Sequence, residues 1–125
     1  MPAKTPAAVN NLFEERVNAG DIEGLLALYE SEATVAAGPE GLLVGRAAIR
    51  GFLEPLLAMK AVMDMGDITV IALDDNLAVL HHDWRATFTD PDGKQAEMTG
   101  KATEVVRRQA DGSWLFLLDD PDMRG

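Results

Sequence analysis

The stretch Leu77–Gln109 reads LAVLHHDWRATFTDPDGKQAEMTGKATEVVRRQ and predicts two long strands joined by a turn. Branched and aromatic residues alternate with polar ones over Leu77–Thr89 and again over Gln95–Gln109, which is the two-residue period of a β-strand. The segment between them, Asp90–Gly93, has the sequence Asp-Pro-Asp-Gly, which favours a tight turn. The pattern therefore predicts an antiparallel hairpin.

Two polar residues of this hairpin, His82 and Glu104, are predicted to point into an apolar space. Successive side chains of a strand point to opposite faces, so residues of one parity share a face. The face with more apolar residues, which should meet the rest of the protein, comprises Ala78, Leu80, His82, Trp84, Ala86 and Phe88 in the first strand and Met98, Gly100, Ala102, Glu104 and Val106 in the second. The opposite, outer face includes Arg85, Lys101, Thr103, Val105 and Arg107.

Three helices are predicted before the hairpin. The first begins at Thr5, continues with apolar residues at helical spacing and stops at Gly20. The second is short and capped by Asp21, and the third spans about Ala47 to Met59. Pro55 lies inside the third helix and should kink it or remove one backbone hydrogen bond. The apolar stripe of the second helix comprises Leu25, Leu26, Leu28 and Tyr29.

Shorter strands complete the predicted sheet. They cover Ala33–Ala37, Leu42–Val44, Met63–Leu73 and Trp114–Asp119. Helices followed by a run of antiparallel hairpins indicate an α+β fold, with the helices on one face of a curved sheet. A length of 125 residues suits one domain, so residues 1–125 are interpreted as a single unit.

Composition narrows the function classes. The absence of cysteine excludes disulfides, thiol catalysis and cysteine-ligated metal centres. A net charge of −10 disfavours nucleic acids and anionic membranes as partners. The sequence shows neither a signal peptide nor an apolar stretch long enough to span a bilayer, so we expect a cytoplasmic protein.

Six motifs occur in order along the chain: Asn18–Asp21, Leu28–Val35, Gly45–Arg50, Gly100–Arg108, Asp111–Trp114 and Asp119–Pro121. In this order they resemble the nuclear transport factor 2-like superfamily. The likeness is strongest to its SnoaL-like and ketosteroid-isomerase-like branch, including a bacterial subgroup of unknown function. The resemblance implies a cystatin-like α+β cone, in which three helices close a pocket over a strongly curved, mostly antiparallel sheet, and a homodimer formed through the outer sheet face.

The match to ketosteroid isomerases is informative because two functional groups are missing. The tyrosine that stabilises the oxyanion in that family corresponds to Phe13, and the general-base aspartate corresponds to Ala37. The second carboxylic acid falls at or near Glu104. A phenyl ring cannot donate a hydrogen bond and a methyl group cannot carry a proton, so that mechanism is not expected.

Glu104 and His82 remain the candidate catalytic residues, each with an alternative. Glu104 is either a carboxyl group of raised pKa in an apolar pocket or a strand carboxylate at the rim or paired with an arginine. His82 is either a general base near Glu104 or a buried neutral histidine bonded to backbone. His81 and His82 point to opposite faces, so they cannot easily share a metal ion, and we expect neither a metal nor a cofactor.

The leading prediction is a small-molecule-binding homodimer with a mainly apolar pocket. Its enzymatic form would be lyase- or isomerase-type proton transfer on a hydrophobic molecule. The alternative is a non-catalytic dimerisation or association module that uses the outer sheet face. The candidate ligand contacts, besides the two catalytic candidates, are Phe13, Tyr29, Phe52, Trp84, Met98 and Asp120.

Overall fold

Three helices pack against one face of a curved, mixed sheet of seven strands, as counted within residues 2–38 and 41–122, which the computed structural model describes. The α+β class is therefore confirmed, with all three helices in the first half of the chain. The helices are α1 (Pro6–Ala19), α2 (Ile22–Leu26) and α3 (Arg46–Ala58). The strands are β1 (Tyr29–Ala36), β2 (Leu42–Val44), β3 (Val62–Asp64), β4 (Thr69–Asp74), β5 (Leu77–Thr89), β6 (Gln95–Arg108) and β7 (Trp114–Asp120).

The sheet is antiparallel except at one pair. Its strand order is β2-β1-β7-β6-β5-β3, and β4 pairs with β5 beside β3. The first strand in sequence, β1, pairs with the last strand, β7, and this pair is parallel. Strands β3 and β4 share one edge of β5: β3 pairs with Arg85–Thr87 and β4 with Leu77–His81.

Local sequence features explain where the first two helices begin and end. The Thr5 hydroxyl accepts a hydrogen bond from the Ala8 amide at the start of α1. Gly20 ends α1 with φ 68°, a left-handed conformation that suits glycine. The Asp21 carboxylate then caps α2 by accepting from the Gly24 amide.

Helix α3 continues through Pro55, whose nitrogen carries no hydrogen. The proline ring is on the exposed side of the helix. The cost of the missing hydrogen bond is limited there because water can reach the freed carbonyl group.

The β5–β6 hairpin confirms the prediction from alternation. The register is regular from Leu77–Arg107 to Thr89–Gln95, and it pairs His82 with Ala102. Both His82 and Glu104 lie on the inner face and are buried. Thr103, which parity placed on the outer face, is also buried, and Val105 is half-buried.

The continuous strand predicted over Met63–Leu73 is wrong. The chain forms β3 and β4, separated by a turn at Gly66 with φ 65°. A Cβ atom at Gly66 would lie 2.8 Å from the Asp83 carbonyl oxygen, so this close approach requires glycine. The Asp64 side chain stabilises the turn by accepting from the Gly66 amide.

The predicted apolar stripe of the second helix also extends too far. Helix α2 ends at Leu26, and Tyr29 is the first residue of β1 rather than part of a helix. Strand β1 thus begins before the predicted Ala33, because its first residues pair with β7, far away in sequence. Such a non-local pairing leaves little trace in the local periodicity.

Membrane-spanning helices are not found in the part of the chain that the structure describes. The longest helix there, α1, has 14 residues.

Candidate functional site

A cavity of about 640 Å³ lies between the helices and the inner face of the sheet. Helices α1 and α3 supply aromatic and aliphatic walls, and the long strands supply the opposite wall. Most of the lining is apolar, so water inside gains few hydrogen bonds from the walls. Its larger apolar side chains include Phe13, Phe52, Leu53, Leu56, Phe88 and Phe116.

His82 and Glu104 form a buried hydrogen-bonded pair in the cavity wall. The His82 Nε2 atom lies 2.8 Å from Glu104 Oε2. Each residue is only 3% exposed. The two strands place them diagonally, because Glu104 pairs directly with Leu80 and His82 pairs with Ala102. The predicted proximity of these two groups is therefore found.

Helix α1 supplies a third member of this cluster. The Asn10 side-chain amide donates a hydrogen bond of 3.1 Å to Glu104 Oε1, and Asn10 is fully buried. Both Glu104 oxygens are thus engaged, one by an amide and one by an imidazole. The alternative interpretation of Glu104, a rim carboxylate or the partner of an arginine, is wrong.

A second buried pair lies beside the first. The Tyr29 hydroxyl donates a hydrogen bond of 2.7 Å to Asp119 Oδ2. Asp119 is 8% exposed and lines the cavity, and it pairs directly with Glu104 across β6 and β7. Two carboxyl groups from neighbouring strands therefore face the same space.

A bulge in β7 decides which aspartate is buried. Val106 pairs with Phe116 but Val105 pairs with Leu118, so β7 contains one extra residue at this point. The extra residue reverses the parity of the strand end, and Asp119 takes the buried position. Asp120, a predicted ligand contact with the same parity as Trp114 and Phe116, is half-buried, although it also lines the cavity.

Burial and neighbouring groups shift the pKa values of Asp119, His82 and Tyr29. Burial first, and then the charge of Glu104, raise the pKa of Asp119 from 3.8 to about 7, although the hydrogen bond from Tyr29 opposes this. Burial acts to lower the pKa of His82, but the hydrogen bond to Glu104 and the charges of Glu104 and Asp119 together raise it above 6.5. Burial and the Asp119 charge raise the pKa of Tyr29.

The candidate ligand contacts divide into two groups. Five of them line the cavity: Phe13, Phe52, Trp84, Met98 and Asp120. Met98 is 54% exposed, so it lies where the cavity opens to solvent. Tyr29 is fully buried and does not line the cavity; its hydroxyl reaches the site only through Asp119.

Two residues of the site, Asn10 and Asp119, are not among the residues predicted from the sequence. Asn10 could have been noticed as a polar residue on the apolar stripe of α1, because it precedes Phe13 by three positions and Val17 by seven. Asp119 has no such local feature, because its orientation depends on the bulge that pairing with β6 creates.

The three positions that correspond to ketosteroid-isomerase functional groups all line the cavity. They are Phe13, Ala37 and Glu104. The site therefore has the expected position but a different set of groups: one histidine and two buried carboxyls can hold or move protons. Clusters of three or more side chains that could hold a metal ion are not found among the described residues.

Solved structures with the same fold include the following three, each with low sequence identity. A Xanthomonas campestris protein provisionally assigned as a calcium/calmodulin-dependent protein kinase II association domain has a TM-score of 0.82 and 23% identity, over 95% of this chain and 86% of its own. A Novosphingobium aromaticivorans protein provisionally assigned as a scytalone dehydratase has a TM-score of 0.80 and 18% identity, over 91% and 78%. A ketosteroid isomerase-like protein from Erwinia carotovora has a TM-score of 0.78 and 18% identity, over 91% and 89%.

These likenesses show an NTF2-like, cystatin-like fold and do not transfer any activity. No curated protein sequence matches this chain. The model of the SnoaL-like domain family matches residues 9–116, which is most of the chain. The resemblance seen in the sequence motifs is thus confirmed, and the chain belongs to the SnoaL-like domain family.

Proposed function

We propose that the protein binds a small hydrophobic molecule in the cavity and transfers a proton on it, in a lyase- or isomerase-type reaction. The observation that carries this proposal is the 2.8 Å hydrogen bond between His82 and Glu104 in the wall of an apolar cavity. A buried ionisable pair is costly to maintain, and such pairs occur preferentially at functional sites.

In this proposal Glu104 accepts a proton from the bound molecule and His82 supplies or takes up the compensating proton. Asn10 and His82 hold the carboxylate in one orientation, which removes the reorganisation that a mobile side chain would need. The dehydratase and isomerase-like proteins of the same fold make this reaction class a reasonable choice.

Proton abstraction can be tested without knowing the natural molecule. The ring opening of 5-nitrobenzisoxazole needs only a base: the C–H proton leaves to the base, the N–O bond breaks and a coloured cyanophenolate forms. We expect wild type to accelerate this reaction and Glu104→Gln to lower the rate by about 100-fold, the usual contribution of a positioned base. Glu97→Gln makes the same chemical change at an exposed position of β6 and should keep the wild-type rate. Equal rates for wild type and Glu104→Gln would refute the proposed base.

Binding can be tested separately with a cavity-filling variant. Ala37 is half-buried and lines the cavity, so Ala37→Trp should occupy part of its volume. We expect the affinity for Nile red, an uncharged apolar dye, to fall at least tenfold, while Ala58→Trp on the exposed end of α3 leaves it unchanged. Native mass spectrometry of the purified protein should also reveal a copurified small molecule. Unchanged dye affinity in Ala37→Trp contradicts the proposed site.

We also propose a homodimer formed through the outer sheet face. One apolar row crosses four strands there, because Ile71 pairs with Val79, Val79 with Val105 and Val105 with Leu118. Ile71 is 43% exposed and the other three are half-buried, on the face opposite the helices. A continuous apolar row exposed to water is typical of an interface.

The assembly distinguishes the catalytic proposal from the association-module alternative. Val105→Arg puts a charge in the apolar row, and Arg85→Glu reverses a charge on the same outer face, six residues along β5 from Val79. Each should shift the protein toward the monomer in sedimentation. If the protein is only an association module, these two variants disrupt the assembly, and Glu104→Gln changes neither the assembly nor the ring-opening rate. A monomer at all concentrations in wild type would contradict the dimer.

A further inference from the structure

The cavity lining carries carboxylates and no compensating lysine or arginine. Glu104, Asp119, Asp120 and Asp122 all contribute to it, and neither Lys nor Arg does so among the described lining residues. His82 is the one basic side chain there, and Glu104 already neutralises it at 2.8 Å. The remaining charge of the lining is therefore negative, which disfavours ligands such as carboxylates or phosphates.

Asp119 has a carboxylate oxygen that a ligand in the cavity can use as a hydrogen-bond acceptor. Tyr29 occupies Oδ2, whereas Oδ1 has no hydrogen-bond partner within residues 2–38 and 41–122. The side chain is more than nine-tenths buried and lines the cavity. Because Asp119 lines the cavity, a ligand there can reach Oδ1, and a donor on that ligand would form a charge-assisted hydrogen bond with it.

We propose that the ligand is a hydrophobic amine, whose ammonium group binds Asp119 while its apolar body fills the cavity. This inference rests on the proposed function, because it names the class of molecule that the cavity holds. An ammonium group donates hydrogen bonds and carries the charge that the lining lacks. The apolar walls from α1 and α3 account for the hydrophobic part of the molecule.

The groups around Asp119 support a cation at this position. The Tyr29 hydroxyl from β1 donates a hydrogen bond to Asp119. Glu104 lies directly opposite Asp119 in the β6–β7 register, and Asp120 follows it in β7. Among the described lining residues, the one basic side chain is His82 from β5, which is hydrogen-bonded to Glu104. A ligand cation would thus be near two or three carboxylates and one shared imidazole.

Three two-ring probes of nearly equal shape test the ligand class: 1-naphthylmethylamine, 1-naphthalenemethanol and 1-naphthoate. Calorimetry at about pH 8 measures their dissociation constants with the full chain. We expect the amine to bind roughly tenfold to hundredfold more tightly than the alcohol, the range for one charge-assisted hydrogen bond. The carboxylate should bind most weakly.

The possible results separate this inference from the proposed function. If the alcohol binds as well as the amine, or the carboxylate binds best, the ligand class is wrong but the cavity is still a binding site. If none of the probes binds and Nile red also fails, the proposed function itself is wrong.

A matched pair of variants locates the effect. Asp119→Asn keeps an oxygen that accepts the Tyr29 hydrogen bond but removes the negative charge. The affinity for the amine should therefore fall to that for the alcohol. The affinity for the alcohol should stay within about threefold of its wild-type value. Asp67→Asn, at an exposed position between β3 and β4, should leave both affinities unchanged. A preference for the amine that survives Asp119→Asn would overturn the assignment of Asp119.

The pH dependence provides a second measurement on the wild-type protein. Because the pKa of Asp119 is about 7, its ionised fraction increases roughly tenfold between pH 6 and pH 8. The amine affinity should rise by a similar factor over this range. An amine affinity that stays constant or falls over the same range contradicts the proposed contact.

Discussion

Replacing Asp119 by asparagine should make the protein more stable at neutral and alkaline pH. The carboxyl group is buried, and its pKa is raised from 3.8 to about 7, chiefly by burial and the charge of Glu104. The folded protein therefore binds this proton more tightly than the unfolded chain does. The stability that the protonated group provides is complete below about pH 4 and is lost as the pH rises through 7.

The size of the effect follows from the two pKa values. At 1.36 kcal/mol for each pH unit, the interval from 3.8 to about 7 corresponds to about 4 kcal/mol of stability lost at pH 8. This is a large part of the 5–15 kcal/mol that is typical of small domains. Asp119→Asn cannot ionise and keeps an oxygen that accepts from Tyr29. Its advantage over wild type should grow by roughly 3 kcal/mol between pH 4.5 and pH 8.

Urea denaturation followed by the fluorescence of Trp84 and Trp114 measures this difference at several pH values. The raised pKa of His82 also makes its contribution to stability fall with rising pH. Because the Asp119 charge helps to raise that pKa, the difference between the two proteins reports Asp119 together with its effect on His82. Asp67→Asn serves as the control and should run parallel to wild type. Parallel curves for wild type and Asp119→Asn would refute the reasoning.

Three further substitutions probe the site and its supports. Tyr29→Phe removes a donor that lowers the pKa of Asp119, so the free energy of unfolding should fall by about 2 kcal/mol at pH 8 and by less at pH 5; an equal loss at both contradicts this. Gly100→Ala puts a Cβ atom 2.6 Å from the Trp84 indole, and should destabilise by about 1–3 kcal/mol and shift the tryptophan emission, whereas unchanged emission argues against that contact. Lys60→Gly relieves a left-handed residue with φ 54° after α3 and should stabilise by about 0.5–1 kcal/mol, whereas Lys60→Ala keeps the strain and should not.

Much of the fold could be predicted because local rules acted without conflict. The β5–β6 hairpin follows simple alternation, and its regular register leaves the parity of His82 and Glu104 intact. Helix α1 has a side-chain cap at one end and a left-handed glycine at the other, so its limits are visible in the sequence. The strand over Met63–Leu73 could not be predicted as two strands, because the break depends on the close approach of Gly66 to β5.

The candidate site was only partly predictable, for a similar reason. His82 and Glu104 are found from parity alone, and their hydrogen bond follows from the regular register. The buried position of Asp119 is not found from parity, because the bulge in β7 arises from the pairing of β7 with β6. Asn10 joins the cluster only because α1 packs across the sheet, a contact between residues 94 positions apart.

The sequence by itself determined the α+β class, the long hairpin and the two ionisable residues on its inner face, since these depend on local periodicity. The tertiary structure alone decided which carboxyls share the cavity, since a bulge and a helix contact bring distant residues together. It also decided the protonation of Asp119. The pKa of this carboxyl group depends on its burial and on its proximity to Glu104, and the unfolded chain has neither.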